Sequence, residues 1–305
     1  MKIAHIVNPL VVTNPASDLN FAQPITLLSM QRAKACVNKI PELDVTQYAA
    51  FYEEDRLEVP ADFVRTPVLE RSVLDFVKPD TRIGLRKLPL LRDILDRLYA
   101  AASDADYLIY SNIDIGLWPD FYLNVYRKIN QGKHAFLIGR QTLSMDYTSP
   151  EDLDKILAQK GIPHYGYSCF VFPRSHYEHY ILGDTCIGLQ PIGVTLAVNM
   201  SQHAASFERL FQTRMTFHLG DDKLWQKTLL DTCHLHNEHI LDWVMQQLSQ
   251  TELTSKTKVI FNDYLPWRVN YVIDHSSNQL SRLIYRVLRK VGLGAWVAAR
   301  YDKLK

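Results

Sequence analysis

The chain reads as an α/β protein whose mainly parallel sheet is covered by helices on both faces. Short apolar runs, such as Ile3 to Val7 and Tyr107-Leu108-Ile109-Tyr110, alternate with longer stretches of helical period. That alternation is the pattern of strand–helix–strand units. The runs are apolar almost throughout, as befits strands buried on both sides. With 305 residues, 47% hydrophobic and 22% charged, the chain can bury a large core.

Ile3 to Val7 is the first expected strand, closed by Asn8-Pro9. A helix is expected from Ile25 to Val37, with Leu27, Leu28, Ala33 and Val37 available for its inner face. Asp44 to Tyr52 follows as a strand, and the charged, proline-spaced stretch from Glu53 to Asp80 as a surface excursion. Leu88 to Ala102 places Leu91, Ile94, Leu95, Leu98 and Tyr99 on one helical face. The strand Tyr107 to Tyr110 ends in Ser111-Asn112-Ile113-Asp114, and a helix over Phe121 to Asn130 and a strand over Ala135 to Ile138 come next. Asp152 to Lys160 reads as a short helix and Ser168 to Phe172 as a strand stopped by Pro173. Gly183 to Gly193 is loop-rich, Met215 to Leu219 strand-like, and Trp225 to Gln250 largely helical. With no internal repeat or low-complexity linker, residues 1–275 are expected to form one elaborated domain, and 276–305 a C-terminal helical extension.

A net charge of +1 argues against a general nucleic-acid binder. The charge is unevenly spread: from Ser276 onward seven basic residues face the single acid Asp302, so the tail carries +6 and the other 275 residues −5. Leu280, Leu283, Ile284, Val287, Leu288 and Val291 recur there at helical spacing beside Arg282, Arg286, Arg289 and Lys290, with Trp296 beyond. Such a segment either lies on an anionic membrane surface or packs on the domain with its basic face in solvent. Cys36, Cys169, Cys186 and Cys233 are scattered, no leader sequence opens the chain, and no apolar run reaches the length of a membrane span. The expected location is cytoplasmic, at the inner membrane face if the tail attaches.

In open α/β sheets, ligands bind beyond the carboxyl ends of the strands, which is where Asp114 falls. A carboxylate behind four buried residues is costly unless something satisfies it. A divalent cation bridging to a diphosphate would do so, because magnesium and manganese prefer oxygen ligands and leave positions for phosphate and water. The ordinary alternative is a cap for the helix at Phe121. Ala105 to Asp114 also resembles the strand and Asp-x-Asp motif of the GT-A class of glycosyltransferases, with Asn112 in place of the first acid. The resemblance implies a nucleotide-sugar donor and a manganese or magnesium ion held by Asp114, with Asn112 at the ribose or an outer-shell water.

The second informative stretch runs from Met215 to Trp225 and sets His218, Gly220, Asp221, Asp222 and Lys223 at a strand-to-helix junction. His218 can supply a neutral nitrogen to the metal, Gly220 allows close backbone approach, and Lys223 can set a positive charge on a phosphate. The stretch resembles the His-x-x-Gly-x-x-Lys-Pro-Trp signature of glycogenin-like retaining transferases, one residue shorter and with Leu224 for the proline. That likeness implies His218 on the metal and Gly220 and Lys223 on the diphosphate. Gly220-Asp221-Asp222 also looks like the Glu-Asp motif of inverting GT-A enzymes, which would make Asp222, or its neighbour Asp221, the base that deprotonates the acceptor. Both stereochemical outcomes stay open. Without a ligand, the same residues would make a capped helix with a satisfied strand histidine.

Between the motifs, His164, Tyr165 and Tyr167 are candidates for sugar or acceptor contacts, and Asp184 for the acceptor rim. Asn8, after the first strand, is a candidate for the base or ribose. Cys233 to His239 suggests zinc only weakly, since His234 and His236 fall on opposite sides of a helix and no distant ligand pair accompanies them. The expected activity is therefore transfer of a sugar from a nucleoside diphosphate, UDP favoured over GDP, to a saccharide or lipid-linked hydroxyl. A non-catalytic nucleotide-sugar-binding protein is the alternative. A sugar nucleotidyltransferase is a weaker one, because Asn8 to Asp18 lacks a glycine-rich basic loop.

Overall fold

The computed structural model describes residues 1–78, 87–220 and 231–274. In chain order its strands are β1 (Lys2–Val7), β2 (Asp44–Ala49), β3 (Val64–Arg65), β4 (Tyr107–Ser111), β5 (Gly116–Leu117) and β6 (Ala135–Ile138). They continue with β7 (Gln141–Leu143), β8 (Ile162–Pro163), β9 (Cys169–Pro173), β10 (Phe207–Leu210) and β11 (Thr216–Leu219). The main helices are α1 (Leu19–Val37), α2 (Leu91–Ala101), α3 (Phe121–Asn130), α4 (Leu153–Ala158), α5 (Ile192–His203), α6 (Asp231–Leu248) and α7 (Ser255–Asp274).

A seven-stranded sheet, in the order β10-β6-β9-β4-β1-β2-β3, forms the centre. Every neighbouring pair is parallel except the two that involve β9, which runs antiparallel to both β4 and β6. The period of two sorts side chains to opposite faces. Ile3, Val7, Val45, Ile109, Phe136 and Val171 pack under α1 and α3. Ala4, Ile6, Leu108, Tyr110, Leu137 and Phe170 pack against α2, α5, α6 and α7 on the other face. The expected mainly parallel sheet, flanked by helices, is the observed one.

A smaller sheet, β5-β11-β7-β8, is built beside the carboxyl ends of the main strands. The shortest of its links to the large sheet is Gly139-Arg140, between β6 and β7. Phe217, Leu143 and Leu219 form its core with Trp118 and the α4 residues Leu153 and Ile156. Gly116 is required there: a Cβ would lie 2.2 Å from the Phe217 ring.

Some boundaries differ from expectation. The first helix begins at Leu19, with Pro24 inside it, because Gln23 bonds both backbone groups of Leu10 at 3.0 and 2.9 Å and so anchors the first turns. The second strand stops at Ala49, where Asn8 Nδ2 donates to the Ala50 carbonyl at 2.7 Å. The 53–78 excursion holds 3-10 turns and the two-residue β3.

Candidate functional site

Asn8 follows β1 and Asn112 to Asp114 follow β4; these strands are parallel neighbours, so both segments leave the sheet at the same edge. The turn after β4 is fixed by Ile115 N–H donating to the Asn112 carbonyl at 3.1 Å. Tyr110 Oη donates to Asn112 Oδ1 at 3.2 Å, which orients the amide. β11 brings His218 to this edge by pairing with β5 on one side and β7 on the other. The two halves of the site, 104 residues apart in sequence, thus converge: His218 Nε2 lies 3.4 Å from Asp114 Oδ2.

His218 is 1% exposed, and its Nδ1 lies 3.2 Å from the Gly220 carbonyl. A carbonyl only accepts, so Nδ1 carries the proton on that side, and Nε2 faces Asp114, as a second donor in the protonated ring and as a lone pair in the neutral one. Gly220 has φ +78, and a Cβ there would lie 2.6 Å from Met145 Sδ. The glycine therefore serves the histidine: its left-handed backbone aims the carbonyl that selects the tautomer. Burial pushes the Asp114 carboxyl up. The His218 hydrogen bond and charge, with the charge of Arg140, outweigh that and hold it below the usual carboxylate range. Burial, reinforced by the Asp114 charge, pushes the Tyr110 phenol well up.

Two features suit this pair to a divalent cation. Asp114 Oδ1 is closed off from solvent and has no hydrogen-bond partner among the described residues. His218 Nε2 and Asp114 Oδ2 face each other at 3.4 Å, an arrangement that a proton or a cation between them satisfies. Two ligands about 2.1 Å from a magnesium ion in octahedral geometry sit roughly 3 Å apart, close to this spacing. Among the described residues no group of three or more His, Cys, Asp or Glu surrounds a common point. The protein would then supply Asp114 and His218, leaving the remaining positions for phosphate oxygens and water.

Sequence reading missed Arg140, which is 7% exposed and close enough to lower the Asp114 pKa. Its signal was present: it follows the wholly apolar strand Ala135–Ile138 by one glycine, the same strand-end position that marked Asp114. Its carbonyl accepts from the His164 N–H at 2.8 Å, which brings the 164–167 loop beside it.

The other candidates fall differently. His164 Nδ1 accepts from the Gly166 N–H at 2.9 Å, and Tyr165 is 63% exposed, edge-on to Phe211. Tyr167 stacks on Phe211 and bonds Arg209. Asn8 is 5% exposed and ties β1 to the end of β2. Asp184 Oδ1 accepts from Arg71 Nη1 at 3.0 Å, in a cluster with Asp93 of α2. Asp221, Asp222 and Lys223 lie outside the described residues.

No family model and no curated protein matches the chain. Among solved structures it is similar to residues 1–349 of S. aureus TarS in complex with UDP-GlcNAc. The identity is 9% and the TM-score 0.47, over 100% of this chain and 93% of that one. M. tuberculosis glucosyl-3-phosphoglycerate synthase aligns at 11% identity and TM-score 0.42 over 81% of each chain. The 4-diphosphocytidyl-2C-methyl-D-erythritol synthase of Anaerococcus prevotii aligns at 9% and 0.37, over 78% of this chain and 97% of that one. Overlaps this loose leave function to be argued from the site.

Proposed function

We propose that the protein is a metal-dependent glycosyltransferase that takes a sugar from a nucleoside diphosphate, UDP before GDP, and gives it to a hydroxyl acceptor. The observation that carries this is the buried Asp114 Oδ1 at a strand end, without a hydrogen-bond partner among the described residues, with the His218 imidazole 3.4 Å from Oδ2. The GT-A-like Asn112-Ile113-Asp114 and the His218 to Trp225 stretch add the nucleotide-sugar chemistry.

Asp114 and His218 would hold manganese or magnesium, which when bound neutralises the leaving diphosphate. The chain's own residues do the rest. Asn112, its Oδ1 held by Tyr110, faces the donor's ribose or an outer-shell water. Gly220 keeps the imidazole in its lone-pair tautomer. In the transfer, the anomeric carbon leaves the phosphate oxygen, which keeps the bonding electrons, and bonds to the acceptor oxygen. The acceptor's proton passes to a base, assigned in the inverting reading to Asp222 or Asp221. His164, Tyr165, Tyr167 and Asp184 are the candidates for sugar and acceptor contacts.

Calorimetry of UDP and GDP binding, in manganese and in chelator, tests the proposal. Affinity should rise with manganese, and Asp114→Ala should remove the manganese-dependent part while leaving a folded protein. Equal affinity in both conditions counts against the metal. Tight donor binding with no transfer or slow donor hydrolysis would leave a binding protein instead.

A further inference from the structure

We propose that His176, His179 and His203 form an acid-sensitive latch. Neutral, the three rings join the 174–179 turn to the end of α5; charged, they let that corner of the fold open, at the edge of the sheet opposite the candidate site. Nothing in it depends on the donor reading above.

The turn follows β9, which runs antiparallel to β4 and so ends where β4 begins: Pro173 pairs with Tyr107. His134 stands just before β6, and α5 ends on His203 shortly before β10, which starts level with β6. His134, His176, His179 and His203 thus gather at the amino ends of the parallel strands, whereas Asp114 lies beyond the carboxyl end of β4. His203 meets the His179 ring at a centroid distance of 5.7 Å and the Tyr180 ring at 5.9 Å. Asn199, one turn earlier on α5, fixes the same joint by holding both backbone groups of Ile181, at 2.6 and 2.8 Å.

What the rings lack is an acceptor. His176 Nδ1 and His203 Nε2 are closed off from solvent, and neither has a hydrogen-bond partner among the described residues. A neutral ring can leave such a position as a bare lone pair, but a protonated ring must place an N–H there. Charging therefore buries a donor with nothing to receive it, beside another imidazolium. Among the described residues no carboxylate forms an ion pair with these rings. On the turn, Glu178 takes the Tyr99 hydroxyl and Arg174 lies over the Tyr99 ring at 3.8 Å. Asp96 of α2 accepts from the Tyr177 hydroxyl at 2.6 Å, and Glu208 of β10 pairs with Lys133. Glu252, before α7, accepts from Gln202 through its backbone carbonyl at 3.0 Å. From α7 itself, Lys256 donates to the Ala205 carbonyl at 3.4 Å and brings a further positive charge. A histidine in the last turn of a helix, as His203 is, ordinarily gains from the helix dipole when charged. Here burial outweighs that and lowers the pKa of both His176 and His203. Repulsion adds to it, from His134 and His179 on the first and from His179 and His176 on the second. The opened chain takes up a proton near the ordinary value of about 6.5, so the latch holds fully above that pH and weakens as pH falls below it.

Hydrogen exchange of the full-length protein tests it, at pH 7.0, 6.0 and 5.0 in EDTA, with rates corrected for the intrinsic effect of pH. Peptides covering 174–182 and 199–206 should lose protection below about pH 6.5 faster than peptides covering β4. The excess should reach up to about tenfold per pH unit for each proton taken up on opening. His203→Phe keeps a flat ring against His179 and Tyr180 but cannot charge, and should remove most of that excess. Histidine NMR gives an independent reading. In His179→Gln the His176 and His203 resonances should titrate at higher pH than in the wild type, because a repelling charge is gone. Acid exchange of the two segments no faster than that of β4, or an excess that His203→Phe leaves unchanged, would overturn the proposal. So would titrations that His179→Gln does not move. If His203→Phe fails to fold, the comparison of the wild type with His179→Gln decides, since His179 is exposed.

Discussion

His5 stands in β1 with both ring nitrogens engaged: Nδ1 lies 2.9 Å from Tyr122 Oη and Nε2 lies 2.8 Å from Ser111 Oγ. Gln47 Nε2 donates to the same tyrosine at 3.1 Å. The network holds the end of β4 immediately before Asn112, so a buried histidine steadies the strand that carries Asp114. Burial lowers its pKa to about 3. The folded protein keeps the ring neutral, whereas the unfolded chain takes up a proton near the ordinary value of about 6.5. The contribution to stability is therefore full above about pH 6.5 and is lost as pH falls towards about 3, at about 1.4 kcal/mol per pH unit. Urea unfolding at pH 7, 6, 5 and 4 should show that slope in the wild type and a shallower one in His5→Gln; parallel slopes would refute the assignment. At this scale the sequence was partly legible. That Asp114 and His218 would meet was readable because both fall at strand ends, where an open α/β sheet gathers its polar residues. His5 was not, because an imidazole inside an apolar run does not show which hydroxyls will meet it. The contact of the Gly220 carbonyl with His218 was not readable either, because sequence does not show a positive φ or the neighbour it serves.

The helices and strands with a clear period or a clear stop were read to the residue, as for Phe121–Asn130 and Ala135–Ile138. α5 went unread, and the reason is physical. Val194 to Ser201 are buried without interruption, so the helix has no solvent face from which a period could be recognised. The direction of β9 was equally hidden, since apolar runs look alike in parallel and antiparallel surroundings. Between α6 and α7 lies a polar cluster that no local pattern announces. Glu238, 2% exposed, is met by His234 Nε2 at 3.2 Å, by Arg268 Nε at 2.9 Å and by the Tyr264 hydroxyl. Arg268 also holds both oxygens of Asp242 at 2.6 Å. Removing one side of a buried charge pair strands the other, at roughly 3 to 5 kcal/mol. His234 and Tyr264 remain to offset part of that, so Arg268→Ala should cost about 2 to 4 kcal/mol in urea unfolding. A loss below about 0.5 kcal/mol would mean that the cluster behaves like an exposed pair.

For the molecule as a whole, the open element is the basic segment at 276–305, which lies outside the described residues and begins just beyond the end of α7. Among the described residues no helix is long and apolar enough to cross a membrane. Attachment through this segment would be peripheral: its +6 charge gains roughly 1 kcal/mol per basic residue near an anionic surface, together with whatever apolar face it buries. Flotation with phosphatidylserine vesicles should show binding that weakens at high salt and disappears when 278–305 is deleted. Unchanged flotation of the folded deletion variant rules out attachment, and aggregation of that variant indicates a helix docked on the domain. Two of the strands that bound the sheets have a separate consequence. β3 and β8 are each only two residues long, and β8 ends on Pro163, which has no N–H to offer. Val64 and Ile162 are exposed at 43% and 73%, enough apolar surface to invite a neighbouring chain. Because β3 and β8 stop after two residues, a second molecule finds too few open hydrogen-bonding positions to extend a sheet at either of them, so the chain can expose apolar residues there without templating its own aggregation.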